Sequence, residues 1–94
     1  MFLGAYHFAG DPEVLTAGYD RLCEQIGELI DLNVCVVKPD GITVYDACPS
    51  KEDFDGFSSS PQLAAAFAAA GLPAPNVELL GDVHGIVVGA AVPR

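Results

Sequence analysis

The chain has 94 residues, 51% of them apolar, and its 13 acidic and 4 basic residues give a net charge of −9 at pH 7. A chain of this length has room for one hydrophobic core, so we expect a single domain over residues 1–94. The negative charge repels phosphate backbones and anionic lipid surfaces. Nucleic acids and membranes are therefore disfavoured as partners.

We expect neither a membrane span nor a signal peptide that would direct the chain out of the cytoplasm. No apolar run reaches the length of a membrane span, and the N-terminal residues lack the basic start and long apolar stretch of a signal peptide. Cys23, Cys35 and Cys48 are odd in number and form neither a CxxC pair nor a zinc spacing. The sequence predicts a cytoplasmic protein in which these thiols are small buried hydrophobes.

The first two elements have clear sequence signals. Residues 2–9 are rich in aromatics and predict a strand. Asp11 and Pro12 then favour a helix start, and the spacing predicts a helix over 12–29. An apolar stripe at spacings of four and three runs along it, formed by Leu15, Tyr19, Leu22, Ile26 and Leu29.

The middle of the chain predicts a hairpin. Residues 33–38 are a β-branched run, residues 42–48 form the returning strand, and Pro39-Asp40-Gly41 joins them. In that turn proline presets φ and glycine accepts a positive φ, so we expect Gly41 to adopt one.

A second helical region begins after Ser50, an expected cap. Gly56 and the three serines 58–60 should interrupt it. Residues 61–70 restart the helix after Ser60-Pro61, and Gly71 is the expected C-terminal cap. The serine run could instead be a nucleophile-rich loop, but serine before proline favours the helix start.

Residues 76–89 predict the last strand, with Gly81 and Gly85 as bulge positions. The order strand, helix, strand, strand, helix, strand predicts a ferredoxin-like βαββαβ fold of the α+β class. Its antiparallel sheet should have the strand order 4-1-3-2, with both helices on one face. The other face is then uncovered, and the surplus of apolar residues predicts a homodimer joined through it.

Three sequence segments are similar to those of a known group of proteins. They are GDPEVLTAGYDRL, PDGITVYDACPSKEDFDGF and SPQLAAAFAAAGLP. Together with the element order they resemble the dimeric α+β barrel proteins, including antibiotic-biosynthesis monooxygenase-like domains, over nearly the whole chain. The resemblance implies two sheets packed face to face as a barrel. Its members include cofactor-free oxygenases, isomerases and dehydratases, so it implies fold and dimer more than reaction. The monooxygenases commonly use a tryptophan near the substrate and this chain has none, which argues against a quinone-forming oxygenase.

Cofactor motifs are absent from the sequence. There is no GxGxxG, P-loop, GxSxG, HExxH or EF-hand loop. We therefore expect no cofactor and no metal.

His7 and His84 are the predicted acid–base residues, because histidine titrates near neutral pH and both lie in predicted strands. The first and last strands should pair antiparallel, so which side chains share a face depends on whether the numbers of two opposed residues add to an odd or an even value. With an odd sum, one face carries the apolar residues Phe2, Tyr6 and Phe8 of the first strand and Leu79, Val83 and Val87 of the last. The other face then holds Leu3, Ala5 and His7 with Asp82, His84, Ile86 and Val88. This predicts a catalytic cluster of His7, Asp82 and His84 within roughly 10 Å. The alternative is that each histidine is structural.

Three further residues are predicted to bind a ligand. Tyr6 and Tyr45 can donate hydrogen bonds to a carbonyl, although strand tyrosines are more often core or interface residues. Asp46 lies mid-strand between apolar neighbours, where a charge is costly without a partner. Its alternatives are a cap for the next segment and a solvent-facing side chain.

Three functions remain open. One is a cofactor-independent enzyme, monooxygenase- or isomerase-like, acting on a small, partly apolar carbonyl or aromatic compound. The second is a non-catalytic protein that binds such a ligand, and the third is a structural homodimer. A pocket lined by histidine and tyrosine, with a shifted histidine pKa, would favour the first. An apolar pocket without a base would favour the second, and the absence of a pocket would favour the third.

Overall fold

The structure is a computed structural model, which describes residues 1–26 and 32–89. Four strands and three helices lie within these ranges. In chain order they are β1 Phe2–Ala9, α1 Pro12–Ile26, β2 Leu32–Lys38, β3 Gly41–Cys48, α2 Lys51–Ser58, α3 Pro61–Ala69 and β4 Asn76–Asp82. The predicted α+β element order is confirmed, with the second helical region divided into α2 and α3.

The strands form one antiparallel sheet in the order β2-β3-β1-β4. This is the predicted order 4-1-3-2 in reverse, and it is compatible with a ferredoxin-like fold. β1 and β3 lie at the centre, whereas β2 and β4 are the edges of the described sheet.

The two faces of the sheet differ in what covers them. Phe2, Tyr6 and Phe8 alternate along β1 on the face that carries the helices, where they are buried. Helix residues complete the same core, namely Leu15 and Leu22 from α1, Phe54 from α2, and Leu63 and Phe67 from α3. The opposite face, called here the open face, carries Leu3, Ala5 and His7 from β1.

Side-chain caps begin the helices where the sequence predicts them. The Glu13 backbone N–H donates to Asp11 Oδ1 at 3.0 Å, and the Leu63 N–H donates to Ser60 Oγ at 3.2 Å. Ser50 caps α2 in the same way, accepting from the Asp53 N–H. Gly71 ends α3 at φ 82°, a conformation that favours glycine.

Two helix predictions need comment. Gly56 was expected to interrupt the second helical region, but it lies inside α2 and the break comes at Ser59. One glycine costs a helix only about 1 kcal/mol, which the packing of Phe54 offsets. The predicted end of the first helix, residues 27–29 with Leu29, lies outside the described residues.

At two positions glycine is required because a neighbouring group lies too close for a Cβ atom, and not because of the backbone φ angle. A Cβ on Gly4 would lie 2.0 Å from the Phe54 ring, so glycine lets α2 approach β1. A Cβ on Gly41 would lie 2.0 Å from the Phe8 carbonyl oxygen. The expected positive φ at Gly41 is wrong, since positive φ occurs only at Gly10, Gly71 and Gly81 in the described chain.

The last strand is shorter than predicted. β4 ends at Asp82 rather than at residue 89. A register shift lies opposite Leu3 and Gly4, at Leu80-Gly81, which confirms Gly81 as a bulge position, whereas Gly85 lies beyond the strand. From Gly4 to His7, the residue numbers of opposed pairs on β1 and β4 add to an odd value, as expected. Beyond the bulge, at Phe2 and Leu3, they add to an even value.

The cysteines are less buried than expected. Cys23, Cys35 and Cys48 are free thiols of intermediate exposure. Burial, followed by the charges of Asp20 and Cys23, raises the pKa of Cys35. None of the described helices is long and apolar enough to cross a membrane.

Candidate functional site

A narrow cavity lies between the helices and the covered face of the sheet. The centre of a water molecule can occupy about 30 Å³ of it, which is room for roughly two waters. Most of the lining is apolar, and the polar groups come from four residues. These are Tyr6, Tyr19, Asn33 and Asp46.

The register of the sheet explains why the polar groups meet. Asp46 of β3 pairs with Gly4 on one side and with Asn33 of β2 on the other. Tyr6 lies two residues along β1 from Gly4, on the same face, so it is a diagonal neighbour of Asp46. Gly4 has no side chain, and the Phe54 ring of α2 occupies the space above it.

Asp46 is 5% exposed and is held by its neighbours. Asn33 Nδ2 donates to Asp46 Oδ1 at 3.4 Å, and the Cys48 thiol lies 3.8 Å from Oδ2 as a weak donor. The Tyr19 hydroxyl in turn donates to Asn33 Oδ1. This relay fixes the orientation of the Asn33 amide and therefore that of the carboxylate.

The Tyr6 hydroxyl differs from these groups. Tyr6 is 3% exposed, and its hydroxyl has no hydrogen-bond partner among the described residues. Burial raises the pKa of Tyr6 well above its usual range, and the charges of Asp46 and Cys48 raise it further. The phenol therefore stays protonated at neutral pH, as an unused donor near a carboxylate in an apolar cavity.

His7 lies on the open face, away from this cavity. Its Nδ1 is 2.9 Å from Thr43 Oγ1 and its Nε2 is 2.8 Å from Glu78 Oε1. Both ring nitrogens are thus engaged, with the Glu78 side chain about half exposed. The carboxylate beside His7 is Glu78 and not the predicted Asp82.

The predicted cluster of His7, Asp82 and His84 does not form. His7 pairs with Asn76, whereas Asp82 pairs with Phe2. Five residues of strand span roughly 16 Å, which is beyond the expected 10 Å. The bulge causes part of this error, since it moves Asp82 to the face of Phe2, and His84 is exposed beyond the end of β4.

The predicted ligand-binding residues divide between the faces. Tyr6 and Asp46 both line the cavity. Tyr45 pairs with Ala5 and Val34 and lies on the open face. The roles of all these residues stay predictions.

Sequence reasoning missed three participants: Tyr19, Asn33 and Glu78. Tyr19 was placed on the core-facing stripe, and Asn33 was the polar residue opening an otherwise apolar strand. An asparagine whose strand position is buried indicates a hydrogen-bond partner. Only the hairpin register, however, identifies that partner as Asp46.

No protein-family model matches the chain, and no curated protein matches its sequence. Within residues 1–26 and 32–89, no group of three or more His, Cys, Asp or Glu is placed to hold a metal ion.

Proposed function

We propose that the protein binds a small, partly apolar carbonyl compound in the cavity between sheet and helices and moves a proton on it without a cofactor. The observation that carries the proposal is the Tyr6 hydroxyl, a buried donor without a partner in the described chain and a neighbour of Asp46. Leaving such a group unpaired costs a protein about 1–3 kcal/mol. A ligand oxygen would satisfy it.

Each polar residue has a role in this chemistry. Asp46, as the carboxylate, removes a proton from the carbon beside the carbonyl, and the electron pair moves to the carbonyl oxygen. Tyr6 donates a hydrogen bond to that developing enolate oxygen, where its effect is largest in an apolar site. Asn33 positions Asp46 through its amide. Return of the proton to the same carbon restores the compound, and return to a conjugated carbon isomerises it.

The apolar lining selects the ligand. Phe8, Leu22, Phe57 and Phe67 border the cavity and offer aromatic and aliphatic surface. The free cavity holds only water-sized groups, so binding includes a widening between the helices and the sheet. A ketone that carries an aromatic ring, such as a benzyl ketone, matches this combination of apolar wall and single hydroxyl donor.

We further propose that the protein works as a homodimer joined through the open faces, as a dimeric α+β barrel. The open face presents Val34 and Val36 of β2, which are 46% and 40% exposed. The polar side chain at the centre of this face already has hydrogen-bond partners within the single chain, because His7 contacts Thr43 and Glu78. A face whose polar groups are satisfied loses little when it is buried.

The test uses phenylacetone in D₂O, with exchange of its α-hydrogens followed by proton NMR. We expect the wild type to accelerate exchange over buffer. Asp46→Asn should abolish the acceleration, and Tyr6→Phe should reduce it by about 10²–10³-fold, the usual effect of losing one such donor. Tyr45→Phe is the matched control, since it removes a hydroxyl on the other face, and it should behave as wild type.

Two outcomes decide against catalysis. Saturation-transfer signals from phenylacetone without exchange would identify a binding protein. Neither binding nor exchange, in a folded wild type, would overturn the proposed cavity function and leave the structural homodimer.

A further inference from the structure

A second space, here called the outer groove, lies between α3 and the edge strand β4. Ala64 and Ala68 of α3 border it on one side, and Val77 of β4 borders it on the other. The centre of a water molecule can occupy about 280 Å³ of the outer groove, compared with about 30 Å³ of the cavity that holds Tyr6. The outer groove therefore has room for the body of a small molecule, whereas the cavity has room only for its reacting group.

The sequence explains why this space is open. α3 is rich in alanine, and a methyl side chain does not reach across to the neighbouring strand. The buried residues of α3 are Leu63 and Phe67. Val77 pairs with Tyr6 and so faces the same side of the sheet, yet it is 44% exposed because the alanines leave it uncovered.

The chemistry of the lining identifies the kind of occupant. Among the described residues that border the outer groove, one is a serine, the others are apolar, and none is charged. This stands in contrast to the 13 acidic residues of the chain. A concave apolar surface without charge binds an uncharged apolar group, because such a group gains most by leaving water.

Two residues form the wall between the outer groove and the cavity. Phe67 and Leu72 line both spaces. The Phe67 ring packs edge-on against the Tyr6 ring, with 5.7 Å between the ring centroids. Since Val77 is the strand partner of Tyr6, the outer groove and the Tyr6 ring are neighbours on the same face of the sheet. The Phe67 side chain separates them.

We infer that the outer groove binds the apolar tail of a ketone whose carbonyl group occupies the cavity. The inference rests on the function proposed above and narrows its ligand to a ketone with an extended apolar substituent. The carbonyl and the carbon beside it fit the small cavity next to Tyr6 and Asp46. The rest of the ligand passes between Phe67 and Leu72 into the outer groove.

The light anchoring of α3 makes this passage accessible. Leu63 and Phe67 are the side chains that hold this helix in the core, and the helix ends at Gly71. A small shift of α3 carries the Phe67 ring away from Leu72 and joins the two spaces. Phe67 is therefore the residue that controls access from the outer groove to Tyr6.

The test measures hydrogen exchange in D₂O for methyl ketones with unbranched tails, from acetone to methyl heptyl ketone. The exchange of the methyl hydrogens beside the carbonyl is followed, and each second-order rate constant with protein is divided by the rate constant in buffer. We expect this normalised constant to rise about fourfold for each added methylene until the outer groove is filled. A keto acid of the same length as methyl heptyl ketone should lose the gain, because its carboxylate would be desolvated among apolar side chains.

Ala68→Leu is the variant that fills the outer groove. Leucine is a good helix former, so α3 is retained. We expect the ratio of the methyl heptyl ketone constant to the acetone constant to fall at least tenfold, and Ala64→Leu should lower it in the same way. Ala65→Leu is the matched control, because Ala65 is an exposed alanine of α3 that does not border the outer groove, and it should keep the wild-type ratio.

The outcomes separate this inference from the proposed function. Exchange that does not depend on tail length, or equal ratios for Ala68→Leu and Ala65→Leu, would overturn the inference and leave the proton transfer in the cavity standing. If no ketone exchanges but saturation-transfer signals strengthen with tail length and weaken in Ala68→Leu, the outer groove is supported and the catalysis is not. A folded wild type that neither binds nor exchanges any of these ketones would remove both.

Discussion

The Tyr6 hydroxyl has a measurable consequence for the response of stability to pH. Because burial and nearby negative charge raise the pKa of Tyr6 above its ordinary 10.0, the folded state holds this proton more tightly than the unfolded chain does. The stabilisation is complete below pH 10 and is lost as pH rises above it. We expect the unfolding free energy of the wild type to fall above pH 10 more steeply than that of Tyr6→Phe.

Urea unfolding of both proteins between pH 7 and pH 11 provides the measurement. At pH 7 the variant should equal or exceed the wild type by about 1 kcal/mol, since it removes an unpaired buried hydroxyl. Tyr45→Phe should keep the alkaline slope of the wild type. Parallel curves for Tyr6→Phe and wild type would show that Tyr6 is solvated or paired in solution.

At this scale the sequence predicted part of the site. Tyr6 and Asp46 were identifiable because a hydroxyl and a carboxylate stood inside apolar strands. Their meeting with Asn33 depends on which residues of β2 and β3 are opposed. The predicted cluster of His7 with Asp82 and His84 fails for the same reason, since the register places Asp82 opposite Phe2, five residues along β1 from His7, and the bulge turns Asp82 to the face of Phe2. The acid–base roles of these residues stay predictions.

At the scale of elements, the contact between β1 and α2 depends on Gly4. A Cβ there would overlap the Phe54 ring, which is fully buried and packs against Phe2 and Tyr6. We expect Gly4→Ala to destabilise the protein by about 1–3 kcal/mol through overpacking. Thermal unfolding by circular dichroism measures the change.

Gly56→Ala is the control for that substitution. Nothing lies within 4 Å of a Cβ at Gly56, which is in α2, so alanine there should stabilise the helix by up to about 1 kcal/mol. The double variant Gly4→Ala with Phe54→Leu should recover part of the lost stability if the ring is the obstacle. Equal melting temperatures for Gly4→Ala and wild type would contradict the close packing of α2 on β1.

Local signals were sufficient for most element boundaries. The three N-caps and the Gly71 C-terminus follow from residues adjacent in sequence, so they could be predicted. The end of β4 could not, because it is set by where β1 begins, some eighty residues away. Residues 83–89 have strand-forming side chains but lack a strand to pair with in their own sheet.

At the scale of the whole molecule, the charge bears on assembly. Each protomer carries −9, so two protomers repel one another, while the proposed open-face contact would bury Val34 and Val36 and a His7 whose partners lie in its own protomer. Salt screens repulsion between exposed charges over about 10 Å at 0.1 M and about 3 Å at 1 M. We therefore expect the dimer dissociation constant, measured by sedimentation equilibrium, to decrease when sodium chloride is raised from about 50 mM to about 500 mM.

The sign of that salt effect distinguishes two kinds of interface. A dimer held by ion pairs between protomers would weaken in salt, because screening removes the attraction. Val36→Asp, which puts a charge in the middle of the open face, should dissociate the dimer at every salt concentration, whereas Val14→Asp should follow the wild-type curve. A dissociation constant that increases with salt, or a Val36→Asp protein that still dimerises, would place the contact on another surface and leave the open face without its proposed partner.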